Sequence, residues 1–211
     1  MQKEEIIYWA KRLYDKGLSP ATTGNISIKT DKGILITASG AAMGDLTPEE
    51  LVLIDFEGNF VKDATTVPVA GKKASSEKLL HIDIYQERED IGAIIHSHCP
   101  YITAFAVANK EIDEPILAEF VYHFDKIPLV PYVVPSGFKL AEVTIKPFKK
   151  GYSTVLMGNH GVVTGAQTLK ECFYNLEALR AYCETYFGAC VLGGAKKLNK
   201  KEVEEIRNLK G

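Results

Sequence analysis

Two histidines stand one residue apart in AIIHSHCP, residues 93–100, directly behind three apolar residues. The chain has only five histidines in 211 residues, so the doublet asks for a reason. On a strand, residues i and i+2 point the same way. His96 and His98 would then present two imidazoles from one face, spaced to share a metal ion, with Ser97 on the other side. The same spacing also suits polar decoration of a half-buried strand, and the doublet alone does not choose. His160 adds weight. It sits in GNHG (158–161) between two apolar runs, where glycines permit a tight turn and close backbone approach. Three neutral imidazoles with one open position form a common catalytic zinc arrangement.

Glu77, in ASSEKLLH (74–81), falls in the first turn of an expected helix, where the helix dipole favours any carboxylate. Beside a metal it could both touch the ion and carry a proton. His81 lies four residues on, on the same helix face, and is read as a neighbour of Glu77 rather than a ligand. Three pairs of small residues share another character: Gly24-Asn25, Ser39-Gly40 and Ser75-Ser76. Each serves equally as a turn or cap, and each offers backbone N–H groups or hydroxyls suited to cradling a phosphate. Ser75-Ser76 also sits at a helix N-terminus, where anions bind readily.

These residues need elements to position them. Apolar residues at helical spacing predict a helix over 3–16, stopped by Gly17. ISIKT (26–30) and GILIT (33–37) read as a hairpin turning at Asp31-Lys32-Gly33. LVLID (51–55) and the segment around Phe60-Val61 read as a second pair. Residues 62–74 read as loop, with Pro68 and Gly71. Ser75-Ser76 caps a helix through about Glu87. Residues 93–98 form a strand, and Pro100 opens a helix through about Ala108. The prolines of IPLVPYVVP (127–135) exclude helix. Further helices are expected near 138–149, over Leu169–Phe187 and over 200–209, and strands at 153–157 and 162–165. With no repeat or linker, residues 1–211 read as a single domain, helices on a mixed, mostly antiparallel sheet.

Composition excludes some classes. With 25 Lys plus Arg against 27 Asp plus Glu, the net charge is −2, and no basic stripe suggests nucleic acid. Cys99, Cys172, Cys183 and Cys190 make no C-x-x-C pair and read as reduced thiols of a cytoplasmic protein, with Cys183 and Cys190 sharing a buried helix face. No signal peptide or segment of transmembrane length is evident.

TGNIS (23–27), ITASG (36–40), ASSE (74–77), HSH (96–98) and GNHG (158–161), in this order and at these separations, resemble the class II aldolase/adducin-like family. Within it the likeness is to the L-fuculose-1-phosphate aldolases, over about residues 3–190. The resemblance implies a three-layer α/β/α domain around a largely antiparallel sheet, and homotetramers with active sites at subunit interfaces. It implies that His96, His98 and His160 are zinc ligands, and that Glu77 is both acid/base and a resting-state ligand. It further implies that Gly24, Asn25, Ser39, Gly40, Ser75 and Ser76 hold the substrate phosphate. The ligand set would also suit Mn²⁺, Co²⁺ or Fe²⁺.

The implied reaction splits a ketose 1-phosphate, such as L-fuculose 1-phosphate, into dihydroxyacetone phosphate and an aldehyde. Such cleavage leaves negative charge on the ketone fragment, held either by a lysine Schiff base or by a Lewis-acidic metal. A metal constellation is present, and no lysine stands out in an apolar strand. Glu77 would need a pKa lifted toward neutrality to shuttle the proton. The likeness weakens between residues 110 and 140. Where fuculose-phosphate aldolases carry a proton-donating tyrosine, this chain has Glu119, with Tyr122 and His123 close by in AEFVYHF. Glu119 also stands where methylthioribulose-phosphate dehydratases carry a catalytic glutamate, and the following stretch looks more like decarboxylating relatives. An epimerase, decarboxylase or dehydratase therefore stands as the alternative reaction. A non-catalytic adducin-like binding domain is the alternative to an enzyme, and retention of all three histidines and Glu77 speaks against it.

Overall fold

The computed structural model describes residues 2–62 and 71–210. The chain begins with α1 (Gln2–Asp15), which buries Ile6, Trp9, Ala10 and Leu13 at the spacing expected of an amphipathic helix. The strands are β1 (Asn25–Thr30), β2 (Gly33–Thr37), β3 (Leu51–Ile54), β4 (Ala93–Ser97), β5 (Leu129–Val130), β6 (Thr154–Met157) and β7 (Gly161–Ala166). They form one seven-stranded sheet in the order β3-β2-β1-β4-β7-β6-β5. Only the short β5 runs parallel to its neighbour, β6.

The remaining helices are α2 (Lys78–Glu87), α3 (Pro100–Val107), α4 (Ala118–His123), α5 (Gly137–Phe148), α6 (Leu169–Val191) and α7 (Lys200–Arg207). They cover both faces of the sheet. On one face Trp9, Ile102, Phe105, Phe173 and Leu176, from α1, α3 and α6, pack against Ile26, Leu35, Ile95 and Val162. On the other, Leu80, Ile84, Tyr85, Leu140 and Phe148, from α2 and α5, pack against Ile34, Ile36, Ile94 and Val163. The result is a three-layer α/β/α domain with two cores. Burial on both faces explains why the strands read as nearly continuous apolar runs although most pairings are antiparallel.

Several expectations need correction. Phe60 makes only an isolated bridge to Ile54, not a strand. Asp55 draws this segment into a turn by accepting the backbone N–H groups of Glu57 and Asn59 at 3.0 and 2.7 Å. Helix α4 was missed, since six residues are too few to display a period. Helix α6 runs four residues beyond Phe187, past the edge of its layer. Cys190 is therefore exposed while Cys183, seven residues earlier, is buried. The Pro68 part of the expected 62–74 loop lies outside the described residues.

Register decides where the chemistry falls. Asn25 pairs with His96 across β1 and β4, and His96 pairs with Val163 across β4 and β7. The β6–β7 hairpin turns through Gly158-Asn159-His160, closed by a 3.0 Å hydrogen bond from His160 N–H to Met157 O. Its turn thus overhangs the same end of the sheet. Gly161 admits that approach, because a Cβ there would sit 2.5 Å from Ser97 O and 3.1 Å from His96 Cε1. Gly24 is needed for a second reason: its φ is +79°, and a Cβ would stand 2.4 Å from His96 O.

Candidate metal centre

His96 is the last-but-one residue of β4, and its imidazole faces the α2 side of the sheet. Its Nδ1–H donates to Val162 O at 2.9 Å, which leaves Nε2 as the outward lone pair. Ser97 points to the other face, where its hydroxyl donates to Leu18 O. His98 lies just past the strand, its Nε2 2.9 Å from His96 Nε2. His160 comes in from the hairpin turn. The three ring centroids stand 4.7, 4.8 and 4.9 Å apart, and one nitrogen from each ring lies within 4.8 Å of the others.

Glu77 completes the group. It is the N-cap residue of α2 rather than a first-turn residue, at φ −99° and ψ 15°, and its side chain caps nothing. Ser75, expected as the cap, instead accepts the Glu77 N–H through its hydroxyl at 3.2 Å. The Glu77 carboxylate is free to turn toward the imidazoles: Oε2 is 3.3 Å from His96 Nε2, and Oε1 is 3.3 Å from His160 Nε2.

These residues fit a divalent cation. Ligand atoms about 2.0–2.1 Å from a tetrahedral ion stand about 3.3 Å from one another, and separations of 2.9 and 3.3 Å are of that size. Burial also holds the rings in the neutral form that binds metal. It pulls His96 down to about 4, against the attraction of Glu77, and lowers His98 and His160 too.

The Glu77 carboxyl differs from expectation. Burial pushes it up, but the facing His96 and His160 and the Asn25 amide outweigh burial, and its pKa is lowered. Asn25 Nδ2 donates to Glu77 Oε2 at 2.9 Å. His81 does not touch Glu77; it reaches Asn25 Oδ1 through Nε2 at 2.5 Å.

The small-residue pairs gather at this end as well. Ser75 N–H donates to Thr37 O at 3.0 Å and Ser39 N–H to Lys73 O at 2.9 Å, so Ser39-Gly40 and Ser75-Ser76 run side by side. Ile26 N–H donates to Thr37 Oγ1 at 3.2 Å, bringing Gly24-Asn25 alongside. Ser75 and Ser76 also line a cleft of about 510 Å³ with Lys72, Lys73 and Lys78, of which Lys72 pairs with Glu50 at 2.8 Å and Lys78 donates to Gly58 O at 2.6 Å.

Glu119 and Tyr122 are not brought to this group within the chain. They lie on the exposed side of α4, while Phe120 stacks on Tyr182 of α6 at 4.3 Å. His123 lines a crevice with Thr154, Gly165 and Ala166, at the end of β6 and β7 away from the imidazoles.

The sequence profile of the family described as class II aldolase and adducin N-terminal domain matches residues 4–187. The chain belongs to that family. It is 34% identical over 179 residues to a Methanocaldococcus jannaschii protein named L-fuculose phosphate aldolase, covering 85% of this chain and 92% of that one. It is 29% identical over 214 residues to a Haemophilus influenzae protein named 3-oxo-tetronate 4-phosphate decarboxylase, covering 98% and 96%. A solved structure of an L-fuculose 1-phosphate aldolase superposes with a TM-score of 0.85 at 28% identity, covering 99% and 95%. The family member described here is thus an enzyme of the class II aldolase kind, a carbon–carbon lyase. Among the described residues no helix is long and apolar enough to cross a membrane.

Buried His81 makes stability depend on pH. Burial drives its pKa from 6.5 to about 3. Between those values the unfolded chain binds a proton that the folded chain refuses. The stabilisation is therefore complete above pH 6.5 and is lost as pH falls toward 3, by about 1.4 kcal/mol per pH unit. Urea midpoints of chelated protein at pH 7, 6, 5 and 4 should fall accordingly. The fall should be shallower in His81→Gln; an equal slope would assign it elsewhere.

Proposed function

We propose that this chain is a divalent-metal-dependent sugar-phosphate aldolase that cleaves a ketose 1-phosphate, such as L-fuculose 1-phosphate, into dihydroxyacetone phosphate and an aldehyde. The observation that carries the reading is the convergence of His96, His98 and His160 on the Glu77 carboxylate, beside three phosphate-suited segments. A cation held by the three imidazoles, zinc in the first instance and Mn²⁺, Co²⁺ or Fe²⁺ otherwise, would supply Lewis-acid stabilisation of negative charge on the donor oxygens. Gly24, Asn25, Ser39, Gly40, Ser75 and Ser76 would hold the phosphate, fixing the reacting carbons by a remote anchor. Glu77, ionised at neutral pH, would take and return the proton at the carbon that becomes nucleophilic.

The proton for the aldehyde oxygen is assigned to Tyr122 or Glu119. Because α4 stands apart from the imidazoles of its own chain, that group would come from a neighbouring copy. A homotetramer with shared sites, built from residues 1–211 as one domain, is part of the reading. So is a cytoplasmic setting, in which the four unpaired thiols stay reduced.

A second reaction on the same site is supported by a relative that matches as fully as the aldolases do: the decarboxylase of Haemophilus influenzae covers 98% of the chain. Decarboxylation, epimerisation and dehydration develop related charge and would use the same imidazoles. A panel of ketose 1-phosphates assayed with a dehydrogenase that consumes dihydroxyacetone phosphate separates the two. Release of dihydroxyacetone phosphate is expected. Carbon dioxide from a four-carbon acid phosphate, or a dehydrated product alone, would replace aldol cleavage with the alternative.

A further inference from the structure

Behind Glu77 runs a buried row of polar groups that binding of metal and phosphate does not account for. Glu77, His81 and Tyr85 are spaced i, i+4, i+8 from the N-cap of α2 along most of its length. Asn25 and Ser27 are spaced i, i+2 on the facing side of β1. Four residues of helix advance about 6.0 Å and two residues of strand about 6.6 Å, so the two rows interleave. Asn25 sits between Glu77 and His81, and Ser27 between His81 and Tyr85. The contacts are Asn25 Nδ2 to Glu77 Oε2 at 2.9 Å, His81 Nε2 to Asn25 Oδ1 at 2.5 Å, Ser27 Oγ to His81 Nδ1 at 2.7 Å, and Ser27 Oγ to Tyr85 Oη at 2.8 Å. His81 and Ser27 are 0% exposed.

Elementary donor and acceptor rules give this row one direction. An ionised Glu77 can only accept, so the NH₂ side of Asn25 faces it. The Asn25 oxygen can then only accept from His81, so His81 Nε2 carries the proton. In a neutral imidazole Nδ1 is then the acceptor, so Ser27 donates to it. The Ser27 oxygen accepts from Tyr85. Burial supports each state: it keeps His81 neutral and pushes the Tyr85 hydroxyl well above the ordinary phenol value. Every donor points toward the carboxylate.

We propose that His81, locked as its Nε2–H tautomer by Ser27 and Tyr85, is a positioning residue that holds the Asn25 amide with its N–H aimed at Glu77. The inference rests on Glu77 being the acid/base of the site. Without His81, the amide could rotate and set its oxygen against the carboxylate. The Asn25 nitrogen also has a second N–H, so the same lock would fix what Asn25 offers to a bound phosphate.

The test uses full-length protein labelled with ¹⁵N at histidine, loaded with Zn²⁺. In wild type, His81 should show a neutral ring protonated at Nε2, with no titration between about pH 5 and 8. An Nδ1–H tautomer or an imidazolium at neutral pH would overturn the proposal. This readout needs no turnover, so it stands apart from failure of every ketose phosphate to react. His81→Gln keeps an N–H near the Nε2 position and should retain kcat within a few-fold, while His81→Leu should lose about 10–100-fold with Zn²⁺ still bound. Equal kcat in the two variants would overturn the positioning role. Should the leucine variant fail to fold, Ser27→Ala replaces it. Ser27→Ala removes the Nδ1 partner and should yield a mixture of His81 tautomers with lowered kcat; a single Nε2–H tautomer and unchanged kcat would sink the lock.

Discussion

Glu77→Gln is expected to lower kcat by about 10²–10⁴-fold on whichever sugar phosphate the wild type turns over, with the bound metal retained. The range is what a positioned acid/base contributes to a proton transfer. Metal retention follows from the donor set, since three imidazole nitrogens within 4.8 Å of one another remain after the change. Glutamine preserves the shape of the side chain and can still accept from Asn25, so a folding defect would not explain the loss. The direction of the pKa shift sharpens the expectation. Facing His96 and His160 and hydrogen-bonded by Asn25, the Glu77 carboxyl lies below its ordinary value despite burial. Such a group is ionised at neutral pH and ready to accept a proton, and once protonated it is a strong donor. Steady-state kinetics with metal analysis of the same preparation checks both halves. Wild-type kcat would remove Glu77 from the chemistry, and loss of metal together with kcat would make it only a ligand.

Much of the site was legible in the sequence because it depends on short-range rules. The i, i+2 spacing of His96 and His98 and the glycines about His160 follow from local backbone geometry. Pairing of Asn25 with His96, and of His96 with Val163, is what brings distant motifs together. No local pattern specifies that register; the resemblance to a known family supplied the convergence instead. The interleaved row behind Glu77 shows the opposite case. Asn25 and Ser27, alternating with Ile26 and Ile28, and Glu77, His81 and Tyr85 at i, i+4, i+8, were visible in the sequence. Their meaning required knowing that α2 lies over β1. Helix α4 was missed because AEFVYH is too short for its period to show. Cys190 was misplaced because helical spacing reports which face a residue occupies, not whether the helix still lies over the sheet.

Loading the chelated protein with its cation is expected to raise Tm by roughly 8–16 °C, and His96→Ala should abolish that increase. A ligand that binds only the folded state stabilises it by RT ln(1 + [L]/Kd), about 4 kcal/mol at a thousand times Kd, and a chain of this length gains about 2–4 °C per kcal/mol. The ligands come from two separated places, the His96–His98 doublet at the end of β4 and His160 in the β6–β7 turn, so the unfolded chain cannot assemble the full set and most of the affinity becomes stability. His96 is the variant of choice because its Nε2 is aimed by the bond from Nδ1–H to Val162 O and stands 2.9 Å from His98 Nε2 and 3.3 Å from Glu77 Oε2. Its substitution also opens a cavity and lowers the baseline Tm, so the quantity to compare is the shift on adding metal, measured by calorimetry in each protein. Acid gives a second check. Protons compete with metal only where they can occupy the imidazoles, and burial holds His96 to about 4 and lowers His98 and His160 from their ordinary value. The metal-dependent shift should therefore survive to a lower pH than the 6.5 or so at which exposed histidines would fail. A wild-type protein whose Tm is unmoved by Zn²⁺, Mn²⁺, Co²⁺ or Fe²⁺ would leave the imidazole cluster without its ion, and the proposed lyase chemistry without its charge stabilisation.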